Sequence, residues 1–87
     1  MKNIDLGKTQ ITDLIRVSSA AIFYEEHFGN YFQYETFIFS KDPNQKTHQI
    51  IHGTCWSEPS EKLAAISKKV HNYIANNLTK QYETLNN

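Results

Sequence analysis

Residues 27–39 read HFGNYFQYETFIF, and this stretch decides the fold that the rest of the chain must satisfy. It contains six aromatic rings and one charged residue, Glu35. From residue 31 onward, alternate positions place rings on both faces of an extended strand: Tyr31, Phe37 and Phe39 on one, Phe32 and Tyr34 on the other. A strand that is apolar on both faces is typical of the inside of a sheet with a helix on at least one side. Residues 31–40 are therefore predicted to form a central strand.

The stretches on either side predict two more strands. Residues 14–24, LIRVSSAAIFY, are rich in β-branched and aromatic types, and EEHFGN after them contains Gly29 and Asn30, which suit turns. Beyond the central strand, KDPNQK carries Pro43 and favours a turn. Residues 47–57, THQIIHGTCWS, then predict a third strand, in which Gly53 marks a bulge or a close approach.

The end of the sequence predicts one long amphipathic helix. Ser57 is the expected cap, and Pro59 falls in the first turn, where a missing N–H is tolerated. Apolar residues then recur at steps of three or four, as on one face of a helix: Leu63, Ile66, Val70, Ile74, Leu78, Tyr82 and Leu85.

Together these elements predict an α+β fold in one domain of residues 1–87. Its core is a three-stranded antiparallel β-meander packed by one long C-terminal helix, in the order β-β-β-α. Ile4 and Leu6 alternate with polar residues and allow an extra short N-terminal strand at the edge. Three strands and one helix cannot cover both faces of the central strand, so one set of rings is expected to meet a partner, a second copy, or the N-terminal segment.

Composition excludes several classes of function. The nine basic residues balance nine acidic ones, which favours neither nucleic acid nor an anionic membrane as the main partner. Cys55 is the sole cysteine, so no internal disulfide forms, as suits a reducing cytoplasm. No apolar run approaches the roughly 18 residues of a membrane span, and the start of the chain lacks an apolar signal segment. The sequence predicts a cytoplasmic protein.

The pattern HQIIHG at residues 48–53 imitates a zinc-protease motif but does not support its chemistry. Gln49 stands where the general base is required, and it cannot accept a proton. In a strand, His48 and His52 are about 13 Å apart and cannot share one ion. The expectation is no metal, no cofactor and two ordinary strand histidines.

Other reactive residues are also expected to be structural. Cys55 beside a tryptophan in a strand is more often a small buried hydrophobe than a nucleophile. Glu25, Glu26 and Glu35 form the main acidic group, and the first two are expected in solvent near a turn. No catalytic residue is predicted, and the chain is not expected to be an enzyme.

The helix offers an alternative function as a nucleic-acid-binding protein. Its lysines could contact phosphates, as in the helix that follows three strands in double-stranded-RNA-binding domains. The expected lysine-rich start is replaced by SEPSEK, which favours a solvated helix face over nucleic-acid binding. The lysines concerned are Lys62, Lys68, Lys69 and Lys80.

Residues 17–75 resemble a group of small phage- and prophage-encoded proteins. Their pattern is V-S-T, then D-H-x-F-G, then Y-E-T-M-x-F, followed by a polar turn, a strand and a helix. The matching residues are Val17, Ser18, Ser19, His27, Phe28, Gly29, Tyr34, Glu35, Thr36 and Phe39. The sequence departs from the pattern at Ser19 for Thr, Glu26 for Asp, Phe37 for Met and Ile66 for His. The resemblance implies a phage-type origin and a β-β-β-α unit, and it transfers no catalytic residue.

These observations predict a non-enzymatic protein-binding module, a phage-type accessory protein that could inhibit a host or defence protein. Exposed aromatic patches commonly mark interfaces, so the surplus rings carry this expectation. The partner is an unknown protein or a second copy in a homodimer. At the turn, Gly29 is expected to supply a special φ and Phe28 to fold back onto the sheet. The candidate binding residues are His27, Phe28, Tyr31, Phe37 and Phe39.

Overall fold

The computed structural model describes residues 2–85, which form an antiparallel sheet with one helix packed against it. The four strands lie in chain order across the sheet, and each pairs antiparallel with the next. The elements are β1 Ile4–Gln10, β2 Ile15–Glu26, β3 Gly29–Ser40, β4 His48–Trp56 and α1 Glu61–Leu85. The α+β class and the single C-terminal helix are confirmed.

The predicted three-stranded meander undercounts the sheet, because the N-terminal segment, which the sequence allows as an extra short edge strand, forms a full fourth strand. β1 runs for seven residues along the edge of β2, with Ile4 opposite Ala21 and Gln10 opposite Arg16. A bulge between Asp5 and Gly7 shifts its register. Since β1 lies beside β2 in the plane of the sheet, it widens the sheet by one strand and covers neither of its faces.

The turn between β2 and β3 is shorter than the sequence predicts. Glu25 pairs with Asn30 and Glu26 pairs with Gly29, so only His27 and Phe28 remain in the turn. Gly29 has a φ of 136°, which confirms that this position requires glycine. The resulting hairpin has two strands of twelve residues each and forms the centre of the sheet.

The helix begins later than predicted, and its cap is Ser60 rather than Ser57. The Ser60 Oγ accepts a hydrogen bond from the backbone N–H of Leu63 at 3.1 Å, as an N-cap does. The Ser60 N–H donates to the hydroxyl of Tyr34 at 2.8 Å, which ties the start of α1 to β3. Ser57 instead has a φ of 72° and serves the turn that follows β4.

The sheet buries the even-numbered ring set of β3 against the helix. Phe32 and Tyr34 are almost fully buried and pack with Ala21 of β2. Partly buried side chains from β1, β2, β4 and α1 complete this core: Ile4, Leu6, Phe23, Cys55, Leu63 and Ala64. The odd-numbered residues of β3 therefore point to the side of the sheet away from the helix.

The predicted apolar stripe of α1 is displaced from the line that the helix buries most deeply. Ser67, His71 and Ala75 are its buried residues, each one turn from the next. The stripe residues between Leu63 and Tyr82 are half-buried on either side of that line, except Ile66, which is 38% exposed. Leu85 was also predicted in the stripe, and its side chain lies outside the described residues.

Two glycines allow the helix to approach the sheet closely. A Cβ at Gly53 would lie 2.9 Å from a methyl carbon of Leu63, which confirms the predicted close approach. A register shift occurs opposite Tyr34 and Glu35 at the same point of β4. A Cβ at Gly7 would lie 3.2 Å from the ring of His71, and its φ of 151° also disfavours other residues.

Candidate functional site

A chain of hydrogen-bonded side chains joins all five elements between the helix and the sheet. His71 of α1 lies 2.8 Å from Thr9 of β1 through Nε2 and 3.0 Å from Ser19 of β2 through Nδ1. The Ser19 hydroxyl lies 2.6 Å from that of Thr36 on β3, which is 2.7 Å from Nε2 of His52 on β4. We call these five residues the inner chain.

The number of hydrogens in the inner chain limits its protonation. With both histidines neutral, every bond is made with the hydrogens running in one direction, from Thr9 to His52 or the reverse. One imidazolium is also accommodated. When both histidines are protonated, His71 donates to Ser19 and His52 donates to Thr36. One hydroxyl hydrogen of Ser19 or Thr36 then has no acceptor among the five residues. The two histidines are therefore coupled through two hydroxyl groups.

Burial disfavours the charged form of both histidines in the inner chain. Desolvation lowers the pKa of His52 below its usual value. Desolvation also lowers the pKa of His71, and the negative charge of Asp5 opposes this in part. Burial therefore favours the neutral form of both rings, in which every hydrogen bond of the inner chain can be made.

The inner chain is suited to structure rather than to chemistry on a substrate. Ser19 and Thr36 have no exposed surface, and His71 is buried. A serine beside a histidine is the usual pairing of a nucleophile with its base, but a nucleophile must reach its substrate. The hydroxyl of Ser19 cannot do so in this fold, because the sheet lies on one side and α1 on the other.

The histidines of the HQIIHG segment and Cys55 lie apart in different surroundings. His48 is exposed at the start of β4, whereas His52 turns inward to Thr36. Cys55 is half-buried against the core. Within residues 2–85, no group of three or more histidine, cysteine, aspartate or glutamate side chains could hold a metal ion.

The side of the sheet away from α1, which we call the open face, is covered by no element among the described residues. Its central members on β2, β3 and β4 follow from the strand register: Arg16, Ser18, Ala20, Ile22, Tyr24, Tyr31, Gln33, Glu35, Phe37, Phe39, Gln49, Ile51, Thr54 and Trp56. Ile51 and Trp56 are exposed large hydrophobic residues. The open face is therefore an aromatic surface on the outside of a rigid sheet.

Four rings gather at the hairpin end of the open face, and we call them the ring cluster. Tyr31 stacks on Tyr24 with centroids 5.1 Å apart and lies 5.2 Å from Trp56. Phe28 stacks on Tyr31 at 6.2 Å and meets Trp56 edge-on at 5.7 Å. Phe28 folds back onto these rings as predicted, yet it remains 70% exposed, and Trp56 is 56% exposed.

A second aromatic pair lies at the opposite end of the open face. Phe37 and Phe39 stack with centroids 5.0 Å apart, and the Arg16 guanidinium lies 4.8 Å from the ring centre of Phe39. Arg16 and Phe39 also line a shallow cavity of about 180 Å³ together with Leu14 and Lys41. Asp13 lines the same cavity and offsets one of the two cations, so this end is net positive, whereas the ring cluster contains no charged residue.

Glu35 lies between the two aromatic groups and is the acidic residue at the centre of the open face. It pairs across the sheet with Ala20 of β2 and Ile51 of β4. Its Oε2 accepts hydrogen bonds from the side-chain amides of Gln33 and Gln49, each at 3.0 Å. Glu25 and Glu26 lie at the hairpin end of β2, so the three glutamates do not form one cluster.

The structure divides the predicted binding residues into two groups. Phe28 and Tyr31 belong to the ring cluster, whereas Phe37 and Phe39 lie six to eight residues further along β3, roughly 20 Å or more away. His27 is exposed in the turn beyond the ring cluster.

Several residues at these sites were missed by the sequence reasoning. Tyr24 and Trp56 join Tyr31 only through cross-strand register, which the sequence does not state. The apolar repeat that predicts the helix does not indicate that His71 is buried and bonded to two strands.

The helix lysines lie on the outside of the molecule. Lys62, Lys68, Lys69 and Lys80 are exposed, and Tyr73 on the same helix is also exposed. Among residues 2–85, the helix does not have the length of apolar sequence that crossing a membrane requires.

Comparison of the chain with protein-family models, with curated proteins and with solved structures gave no match.

Proposed function

We propose that this chain is a non-enzymatic module that binds a partner protein on the open face of its sheet. The observation that carries the proposal is the ring cluster, in which Phe28 and Trp56 keep more than half of their surface exposed. Aromatic side chains are enriched at protein interfaces, because they bury a large area and lose little conformational entropy. The hydrogen-bonded four-stranded sheet beneath them supplies a platform.

The inner chain supports the same proposal from the other side of the sheet. It links the helix to every strand, which fixes the shape of the platform. The serine–histidine pair of Ser19 and His71 lies in this interior, where no substrate on the open face can reach it. Binding without chemistry is the use that this division supports best.

The biological setting is part of the proposal. The resemblance of residues 17–75 to phage and prophage proteins supports a phage-type accessory role in the cytoplasm of a bacterial host. Inhibition of a host or defence protein is the activity that such a binding surface serves. The sole cysteine, Cys55, is half-buried and unpaired among the described residues, which suits a reducing compartment.

Site-specific photocrosslinking in bacterial cells tests the proposal. A photoreactive side chain at Thr54, exposed on the open face, is expected to trap one protein species. The same group at Asn72, exposed on the helix, should not trap it. The adduct is expected to disappear when Phe28→Ser and Trp56→Ser are introduced together, and to persist with the control Tyr73→Ser.

Two results would overturn the proposal. An adduct formed from position 72 and not from position 54 would move the interface to the helix. An adduct of two copies of the chain, with light scattering showing a dimer that the double variant dissociates, would assign the open face to a homodimer.

A second candidate function, nucleic-acid binding, is supported by the outer side of α1. Lys62, Lys69 and Lys80 are spaced to share one side of the helix with Tyr73, which is 71% exposed. Cations with an exposed ring suit a phosphate backbone with stacked bases. Binding to an RNA or DNA oligonucleotide that weakens steeply with salt and with Lys69→Gln would support it, and no binding at low salt would exclude it.

A further inference from the structure

The carboxyl group of Glu35 is buried in the middle of the open face. The residue is 4% exposed, although it belongs to the open face. The small side chain of Ala20 lies beside it on β2, and the ring of Phe37 follows it on β3. An ionised group in such surroundings is costly unless hydrogen bonds and an opposite charge compensate it.

The described residues supply hydrogen bonds to Glu35 but no ion pair, although the register also places Lys8 of β1 on the open face, opposite Ser18. The donors to Glu35 are the amides of Gln33 and Gln49, which are neutral and both bind Oε2. Oε1 accepts neither of these hydrogen bonds and is not among the buried atoms without a partner, so it reaches solvent at the surface of the open face. Arg16, the arginine of the same face, lies over Phe39, four residues further along β3 and about 13 Å away.

We propose that Glu35 receives the guanidinium group of an arginine side chain from the partner that docks on the open face. The inference rests on the proposed function and names the chemistry that the partner presents. A guanidinium is planar, so it packs on aromatic faces while its N–H groups bind a carboxylate. Glu35 offers Oε1, the ring of Phe37 lies next to it, and Ala20 leaves room above β2.

Arginine fits this position better than the other cations. A lysine ammonium is compact and strongly hydrated, so it gains less from neighbouring rings. A metal ion requires several hard or nitrogen ligands, whereas Glu35 is surrounded by two amides and apolar side chains. Gln33 and Gln49 have flexible side chains, which can shift to admit a planar group.

A second copy of the chain is a poorer occupant than a partner protein. The second copy would have to supply its Arg16, whose guanidinium already lies over Phe39 of the same copy. Pairing Arg16 with Glu35 in both directions would remove this contact from each copy. An arginine from another protein brings the charge without such a loss.

The test measures binding of a short arginine peptide by NMR. The probe is N-acetyl-Gly-Arg-Gly-amide, and its control carries citrulline, which has nearly the same shape and no charge. The side-chain amide signals of Gln33 and Gln49 report directly on Glu35. They are expected to shift with the arginine peptide, and binding of the citrulline peptide should be about tenfold weaker or more, as loss of a charge-assisted hydrogen bond entails.

A charge-removing variant supplies the second comparison. Glu35→Gln should abolish the difference between the two peptides, whereas the exposed control Glu83→Gln on α1 should retain it. The arginine and citrulline comparison uses the unaltered protein, so it holds whether or not Glu35→Gln folds.

The results separate this inference from the proposed function. Equal shifts with both peptides, or no shift with either, would overturn the arginine site and leave the crosslinking result standing. An adduct at Thr54 that survives Glu35→Gln unchanged would also overturn it. Self-association that is weakened by Arg16→Gln would give the site to a second copy instead.

Discussion

The Nδ1 atom of His71 and the Oγ atom of Ser19 lie 3.0 Å apart, which joins the helix to the second strand by a hydrogen bond inside the protein. The opposite nitrogen of the same ring is bonded to Thr9 on the edge strand. One imidazole thus fixes both the position of α1 and the register of β1. The interior of this small domain depends on direction-specific contacts as well as on apolar packing.

Thr36→Val tests the value of the inner chain. Valine keeps the shape of threonine but removes the hydroxyl that contacts both Ser19 and His52. We expect the free energy of unfolding to fall by about 1–3 kcal/mol, because buried polar groups lose their partners. Thr54→Val, on the exposed side of β4, is the matched control and should change stability little. Urea denaturation of both variants measures the difference, and equal effects would contradict the prediction.

Stability should depend on pH through His71 and His52. Burial lowers the pKa of each in the folded state, so the unfolded state binds protons first as the pH falls. The contribution is complete above the unfolded pKa of about 6.5 and is lost as the pH falls through it toward the lowered folded pKa. The denaturation midpoint should therefore decrease as the pH is lowered from about 8 to about 5.5. His71→Gln should flatten this profile, whereas His48→Gln at an exposed site should keep it.

Gly7→Ala should be more damaging than Gly29→Ala. Both glycines have positive φ values, 151° and 136°, so both substitutions strain the backbone. Only at Gly7 would the new Cβ also press on the His71 ring, at 3.2 Å, while Gly29 faces Trp56 at 3.6 Å. We expect Gly7→Ala to lower the unfolding free energy by about 1 kcal/mol more than Gly29→Ala. Thermal or urea unfolding measures this difference, and a smaller loss of stability in Gly7→Ala than in Gly29→Ala would contradict the prediction.

Ser67→Ala should increase stability. The Ser67 Oγ is buried and has no hydrogen-bond partner among the described residues, and alanine is the better helix former. Removing the hydroxyl should raise the unfolding free energy by roughly 1 kcal/mol. Ser60→Ala is the opposite case, since it removes the helix cap and should lower stability by about 1 kcal/mol. Loss of stability in Ser67→Ala would show that the hydroxyl is bonded in solution.

The two ring sets of β3 should respond differently to truncation. Tyr34→Ser removes a buried ring and the acceptor of the Ser60 N–H, so we expect loss of folding or a cost of about 3–5 kcal/mol. Phe37→Ser and Phe39→Ser, on the open face, should leave the fold intact and change binding or self-association. Circular dichroism and light scattering distinguish these outcomes. Unfolding by every variant would refute a spare aromatic face.

Much of the fold could be predicted because its signals are local. The alternation of residues 31–40, the turn glycine at position 29 and the helical repeat after residue 60 each depend on near neighbours in sequence. β1 is different, since Gly7 and the polar residues from Lys8 to Gln10 weaken its strand pattern. Its formation depends on pairing with β2, which is a tertiary effect.

The inner chain could not be predicted, because its residues are ordinary when taken one at a time. Ser67, His71 and Ala75 lie on one side of the helix, and their residue types are typical of a side that faces solvent. Their burial depends on the hydroxyls of Ser19 and Thr36 on the sheet opposite. The helix therefore buries the side that matches these hydroxyls, and the larger apolar residues flank it. Similarly, the ring cluster requires the strand register that brings Trp56 beside Tyr31.

The order of His71 after all four strands in the sequence has a consequence for synthesis. All four strands precede it, so the sheet can pair while α1 is still incomplete. Until residue 71 emerges from the ribosome, the hydroxyls of Ser19 and Thr36 can bond only to each other, to His52 and to water. The side of the nascent sheet that will face α1, with Phe32 and Tyr34, is then open to water. When α1 packs on that side, His71 replaces water as the partner of Ser19.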